Sequence, residues 1–428
     1  MSHRPLSSRA LLIGSLLAIA SASCGDDSHT PTTIPCDIRE ARCRHAIFTL
    51  TAQVRGQSNA KLPPTRIITR AQFATETRAA VTQSMTTRDD QVLEATLRLL
   101  HLLPATSSIV EAMADSSIEG VAAYYDGRSK AVTIIDDAAE NESSGSLTLS
   151  HEYTHALQDQ RENLDTLDKA AKSTDQVMAV SSLVEGEATI LSDVTMSRAT
   201  NTVHDRGDTL AYVARVLNSV LMSVEQSDAP FNEAELVLPY PVGGLPVAEA
   251  YFSGGSGGIQ ALYRAPATTL TGWVQRDVTG APALPVPLSC DMPDPPSGYA
   301  RSEFDRLGGT GLIALYTRLG LRGSQAYEAA RAWTNDSFTV FAPMGTDVSA
   351  AFAWRIGLLD EAAASTLESQ LRASTLALTI VRQANEVVLT GATDPAVLAA
   401  WAGSACTTQK SLAEPEPKRL LPAMPRYW

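Results

Sequence analysis

Basic residues are in short supply. There are 34 lysines and arginines against 47 aspartates and glutamates, a formal net charge of −13 at pH 7 over 428 residues. Those basic residues form no cluster, which argues against a nucleic-acid partner and against docking on an anionic lipid surface. Long apolar runs are missing after the first two dozen residues, so no later segment is fit to cross a bilayer. No internal repeat is present. The glycine-rich SGGSGG (Ser253 to Gly258) is not followed by Lys-Ser/Thr, so a plain turn is expected there and not a phosphate loop. Cysteine is scarce, with five along the chain.

The N-terminus reads as an export signal. Arg4 and Arg9 precede an apolar core, ALLIGSLLAIA (Ala10 to Ala20), and small residues follow. Ala20-Ser21-Ala22 fits a cleavage site that would release a soluble chain beginning at Ser23. Ser21-Ala22-Ser23-Cys24 resembles a bacterial lipobox, with Ser21 where an aliphatic residue is usual, and would leave Cys24 lipidated. Cysteine parity favours the lipoprotein, because removing Cys24 leaves four that can pair as Cys36–Cys43 and Cys290–Cys406. The polar tether GDDSHTPTTIP suits an anchored protein. The expectation is an exported chain that meets a membrane only through Cys24.

The length suggests two domains, or one large domain with an appended one. Residues 1–23 form the signal, 24–45 the tether, 46–280 a main domain and 281–298 a linker with six prolines. Residues 299–410 form a smaller α+β unit, and 411–428 an irregular Pro-rich tail. Helical periodicity runs from Ala71 to Ala114 and is clearest over Gln91 to Leu103, where His101 reads as a partly buried helix histidine and not a ligand. Gly120 to Asp136 reads as a β-hairpin turning at Asp126-Gly127. A helix then opens, capped by Ser143 or Ser144, and a second covers Thr174 to Arg198. VLPYPVGG reads as a loop followed by two short helices. In the smaller unit, helices are expected over Phe304–Gly320, Ala326–Trp333 and Asp360–Arg372, alternating with strands at SFTVF, AAFAWRI, ALTIV and EVVLT.

Ser150 to Gln160 reads SHEYTHALQDQ. His151 and His155 are four residues apart, hence on one face of a helix, where two imidazoles can donate to one Zn²⁺ while Glu152 reaches a metal-bound water. A chance H-E-x-x-H in such a chain has odds on the order of one in a hundred. A catalytic zinc site needs a third protein ligand. Candidates lie in SSLVEGEATILSD (Ser181 to Asp193). Glu185 and Glu187 are about 200° apart around a helix, so only one can face the metal. Glu185 shares its face with Ser181, Ser182, Ala188 and Thr189, which would allow close helix approach. Glu187 sits among Leu183, Ile190, Leu191 and Val194, as a buried functional acid could. Periodicity leaves both open, with a slight lean to Glu185.

HEYTHALQDQ followed by LVEGEA resembles the gluzincin pattern, in which H-E-x-x-H is completed by a glutamate on a later helix. Val184-Glu185-Gly186-Glu187-Ala188 is similar to the N-E-G-F-A of aminopeptidase-N-type members, whose first glutamate binds zinc. That places Glu185 in the ligand position. The interval from His155 is longer than in those enzymes, implying an inserted loop around Arg161 to Ser173. Pro239 to Tyr263 resembles their P-Y-x-x-G segment, whose tyrosine stabilises the oxyanion; Tyr240 takes that place, and without the resemblance it reads as a packed loop tyrosine. Uncharacterised bacterial metallopeptidase-like proteins carry these motifs in this order, followed by a D-x-L-G helix and a W-x-x-D strand entry, matched here by Asp305 to Gly308 and Trp333 to Asp336. No G-x-M-E-N motif precedes the helix. The acid that follows the glutamate ligand by four residues in thermolysin is Thr189 here, so Asp159 becomes a candidate acceptor for a ligand histidine, unless it is an exposed helix acid.

The resemblance implies an α+β fold. It would comprise a mainly helical zincin-like catalytic domain, with a β-hairpin at the cleft able to bind an extended peptide, and the smaller C-terminal α+β unit. It also implies one Zn²⁺ on His151, His155 and Glu185, with Glu152 as general base, Tyr240 as oxyanion donor, and a peptide or protein as substrate. Two readings compete: an exported binding or structural lipoprotein with a non-catalytic metal site, and a zinc hydrolase of a non-peptide substrate such as a cell-wall amide.

Overall fold

The computed structural model describes residues 33–84, 87–202, 204–275, 285–401, 406 and 416–419. The expected signal segment, the Cys24 anchor and most of the tail lie outside the described residues. The fold is mixed α+β and mainly helical. Among the described residues no helix is long and apolar enough to cross a membrane.

Helix α1 (Ala41–Arg55) begins inside the stretch expected as tether, and the disulfide Cys36–Cys43 fastens the chain just ahead of it. Strand β1 (Thr65–Ile68) and helices α2 (Arg70–Ser84), α3 (Arg88–Leu99) and α4 (Ile109–Gly120) follow. Capping boxes open α3 and α4: Thr87 pairs with Asp90 and Ser108 with Glu111, each satisfying N–H groups that the first turn leaves free. The expected helix to Leu103 stops early. His101 lies beyond its end, exposed and at φ 55°, and is neither in a helix nor partly buried. The apolar residues Leu100, Leu102 and Leu103 continue into the core without helical geometry.

The hairpin pairs β2 (Ala123–Asp126) with β3 (Ala131–Ile135). Its loop has four residues, 127–130, in place of a tight Asp-Gly turn. The Asp126 carboxylate accepts from the Arg128 N–H (2.9 Å) and the Ser129 hydroxyl (2.6 Å), so the side chain shapes a wider turn. β1 joins β3 in parallel, giving the order β1-β3-β2 and leaving β2 at an edge.

Helix α5 (Glu142–Glu162) is capped by Asn141, which accepts from the Ser144 N–H (3.0 Å), and not by Ser143 or Ser144. Asn163 at φ 56° ends α5 and also caps α6 (Leu164–Ala170), a short helix inside the expected loop insertion. Helix α7 (Thr174–Ala199) is buried on nearly every face, as a central core helix is. After it come α8 (Arg206–Gln226), α9 (Pro230–Val237), α10 (Pro239–Arg264) and α11 (Leu270–Val274). The expected loop VLPYPVGG is in fact the end of α9 and the start of α10. Pro239 and Pro241 fall within the first turn, where backbone N–H groups have no helical partner, so neither proline costs a bond. The two helical pieces expected on either side of SGGSGG are the halves of α10, which kinks at Gly255 (φ 59°, ψ −146°).

The C-terminal elements are β4 (Tyr299–Asp305), α12 (Gly308–Arg318), α13 (Gly323–Ala330), β5 (Trp333–Pro343), β6 (Ala351–Leu358), α14 (Glu361–Ala373), β7 (Thr379–Gln383), β8 (Glu386–Ala392) and α15 (Pro395–Trp401). The strands form one antiparallel sheet in the order β4-β5-β6-β8-β7. β4 was not expected; its sequence, YARSEFD, is too polar to read as a strand, and it moves Phe304 out of the helix assigned there. Trp333 likewise opens β5 and does not end a helix. Cys290 pairs with Cys406, and Val286 N–H donates to the Thr334 carbonyl (3.1 Å), so the Pro-rich stretch is packed on this sheet.

The largest apolar core runs through both parts, from Met178, Leu183 and Ile190 on α7 to Phe338, Trp354 and Leu389 in the large sheet. A second core joins α1, β2, β3 and α5 through Ile47, Tyr125, Val132 and Leu149. Buried aspartates tie α7 to the large sheet and to α11. Asp305 accepts from the Thr174 N–H (2.9 Å) and hydroxyl (2.6 Å), and Asp175 accepts from Leu270 N–H (3.1 Å). Asp336 receives the indoles of Trp333 (3.1 Å) and Trp354 (2.8 Å) and the N–H groups of Leu307 (2.9 Å) and Gly308 (3.0 Å). The D-x-L-G and W-x-x-D segments therefore meet at one set of buried hydrogen bonds.

Burial, with the charges of Asp336 and Asp305 added, pushes the Asp175 carboxyl well above its ordinary value. The folded chain then holds a proton that the unfolded chain releases, so stability declines as pH rises past about 4 towards the raised folded pKa. Asp175→Asn keeps an acceptor for Leu270. In urea titrations it is expected to be more stable than wild type at pH 8 and to lose that advantage by pH 4; a pH-independent difference would contradict this.

Candidate metal centre

Two helices bring the ligand candidates together. α5 presents His151 and His155 on one face, and α7 crosses it with Glu185 turned inward. His151 Nε2 lies 3.0 Å from His155 Nε2 and 3.1 Å from Glu185 Oε2, and His155 Nε2 lies 3.5 Å from the same oxygen. His151 is partly exposed, while His155 and Glu185 are buried. Two imidazole nitrogens and a carboxylate oxygen within 4.8 Å of one another could hold a metal ion.

The charges in this cluster depend on one another. Burial alone would lower His155, but Glu185, Glu152 and the Gln158 hydrogen bond hold it up at about 9. Burial would raise Glu185, yet His155 and His151 keep it below the usual carboxylate range. His151 is lowered by burial and by the charge on His155. The carboxyl that burial pushes up, to about 8, is Glu152; the Glu185 charge adds to this, and the His155 charge and Tyr125 N–H oppose it.

Glu152 sits beside the cluster and is held by the hairpin. Its Oε2 accepts from the Tyr125 N–H on β2 at 2.8 Å. Tyr125 grips α5 a second time through its hydroxyl, which donates to Asp159 Oδ2 at 2.6 Å. Asp159 also receives Lys130 (2.5 Å) and the Leu164 N–H (3.2 Å). It is therefore a buried anchor for the hairpin, and neither the acceptor of a ligand histidine nor an exposed acid. The acceptor is its neighbour Gln158, whose Oε1 lies 2.8 Å from His155 Nδ1.

Tyr240 stacks beside His151, with ring centroids 5.7 Å apart and planes 20° from parallel. Burial, then the charges of Glu185 and Glu152, push its hydroxyl far above the ordinary range, so it stays a hydrogen donor. That hydroxyl has no hydrogen-bond partner among the described residues. It reaches this place because α10 packs on α7 backbone to backbone. A Cβ on Gly243 would stand 1.5 Å from the Ser182 carbonyl oxygen, and one on Gly186 would stand 2.2 Å from the Gly243 carbonyl carbon.

The structure thus brings together all five residues singled out as ligands, base and oxyanion donor. It separates the two acids of VEGEA: Glu185 meets the histidines, while Glu187 turns to Arg55, Tyr263 and Gln158. Sequence reasoning missed Gln158, although its spacing of three from His155 was legible. Arg55, Tyr125 and Tyr263 come from distant segments that carry no local signal. No protein-family model, curated protein or solved structure matches this chain.

Gly243→Ala is expected to destabilise the fold by about 3 kcal/mol, the upper end for overpacking. Chemical unfolding measures this, and an unchanged midpoint would show that the helix crossing yields easily.

Proposed function

We propose that the protein is a zinc-dependent peptide-bond hydrolase of the gluzincin kind that its HEYTHALQDQ and LVEGEA segments resemble, exported and lipid-anchored at Cys24. The observation that carries this reading is the triangle of His151, His155 and Glu185 with Glu152 beside it. Ligand atoms about 2.0–2.1 Å from a tetrahedral Zn²⁺ stand roughly 3.3 Å from one another. The edges here are 3.0, 3.1 and 3.5 Å. The donor set, two imidazoles and one carboxylate, is also that of catalytic zinc, with a position left for water.

Zinc, when bound, supplies Lewis acidity to a water and to the scissile carbonyl. The chain's own residues do the rest. Glu152 takes a proton from the attacking water and returns it to the leaving amine. The Tyr125 N–H keeps that carboxylate in one orientation. Tyr240 offers its unpartnered hydroxyl to the oxyanion that develops on the carbonyl. β2 is an edge strand beside α5, and such strands bind extended peptides through backbone hydrogen bonds.

Glu152→Gln is expected to retain zinc while turnover of a peptide library falls about 10²- to 10⁴-fold. Loss of zinc in that variant would show the glutamate's role to be misassigned, and a wild-type digest insensitive to chelators would contradict the reaction itself. Tyr240→Phe is expected to lower kcat by roughly 10²- to 10³-fold with KM little changed. An unaltered kcat would return Tyr240 to packing alone.

A further inference from the structure

Glu187 has no part in that reaction, yet it is 1 % exposed and takes four hydrogen bonds. Its Oε1 accepts from Arg55 Nε at 2.8 Å. Its Oε2 accepts from Arg55 Nη2 (3.3 Å), the Tyr263 hydroxyl (2.7 Å) and Gln158 Nε2 (2.9 Å). The Gln158 amide nitrogen also donates to the Val184 carbonyl at 2.8 Å. Both of these partners are acceptors, so the amide can lie only one way, with Oε1 towards His155 Nδ1. An amide oxygen cannot donate. Nδ1 must therefore carry a hydrogen, which leaves Nε2, once its own proton is displaced, as the nitrogen able to donate to a cation on the side shared with His151 and Glu185.

The far end of this chain is equally fixed. Arg55 closes helix α1, is buried, and also donates to the Leu157 carbonyl on α5 at 3.2 Å. α1 is held on α5 by the Thr51–Ser150 hydroxyl pair (3.0 Å), and Cys36, joined to Cys43 of α1 by a disulfide, makes a two-way contact with Ser146 (3.2 and 3.3 Å). A carboxylate paired to a guanidinium polarises the amide it accepts from, and partners of this kind set the basicity and orientation of ligand histidines.

We propose that Arg55, Glu187 and Gln158 form a chain of positioning residues that fixes the Nδ1–H tautomer of His155, so that helix α1 governs metal affinity without supplying a ligand. This rests on the metal reading above. It also gives the two acids of VEGEA separate tasks: Glu185 is a ligand, and Glu187 acts on a ligand through an amide.

The test is zinc affinity, measured on the purified protein by competition with a chromophoric chelator. Wild type is compared with Gln158→Met, Glu187→Gln and the double variant. Methionine keeps the length of Gln158 but offers His155 only a thioether, a weak acceptor. Each single change is expected to weaken zinc binding about 10- to 100-fold. The double variant is expected to be no weaker than Gln158→Met, because Glu187 acts through Gln158. Unpairing Arg55 can unfold the chain; Gln158→Met keeps the Arg55–Glu187 pair and decides the matter if Glu187→Gln does not fold. In the zinc-loaded protein with ¹⁵N-labelled histidine, the slowly exchanging His155 Nδ1–H is expected in wild type and lost in Gln158→Met. A Gln158→Met protein that binds zinc within twofold of wild type, or losses that simply add, would overturn the chain. Wild type that takes up no zinc would instead contradict the metal reading, and the inference with it.

Discussion

Helix α7 packs against both α5 and α10, and the backbone contact at Gly186 and Gly243 sets how closely α7 and α10 approach. Any side chain larger than hydrogen at either position would force α10 outward. Tyr240 would then leave His151, and Glu185 would lose the packing that keeps it turned towards the two imidazoles. The N-terminus of α7 is fixed independently to the C-terminal part of the chain, through Asp305 and through the Asp175 N–H, which donates to the Arg306 carbonyl. The C-terminal sheet thus contributes to the site by holding the helix that carries Glu185.

Burial gives the site its electrostatic character. Four ionisable groups, His151, Glu152, His155 and Glu185, lie where water screens them poorly, and the charges of His155 and Glu185 shift the proton affinity of the rest. An arrangement of this kind is costly unless the charges are paired or shared with a cation. Beneath it, hydrogen bonds run outward in two directions. One passes from Glu152 through Tyr125 to Asp159 and Lys130, and the other from His155 through Gln158 and Glu187 to Arg55. The hairpin is thereby joined to α5, and α1 to both α5 and α7.

Much of this was legible in the sequence. The paired histidines, the hairpin and the long helix after it follow from spacing and residue pattern; parity indicated that four cysteines could pair, but not which with which. Periodicity could not choose between Glu185 and Glu187 because α7 is buried all round, and a helix without a solvent face has no polar side to read. Prolines near Tyr240 suggested a loop because they usually break helices; in the first turn they do not. β4 was hidden by its polarity, and the third strand, β1, by pairing in parallel with a partner far along the chain. Asp159 had the right spacing for His155, but its carboxylate is claimed by Tyr125 and Lys130, which no local pattern announces.

The resemblance to gluzincins supplied the ligand order and the place of Tyr240, and the geometry then stands on its own distances. Elemental analysis of the purified protein tests the central claim most directly, with wild type and Glu185→Ala measured side by side after dialysis. One zinc per wild-type chain and none in the variant is the expected result. A wild type without zinc, or a variant that retains it, would contradict the account.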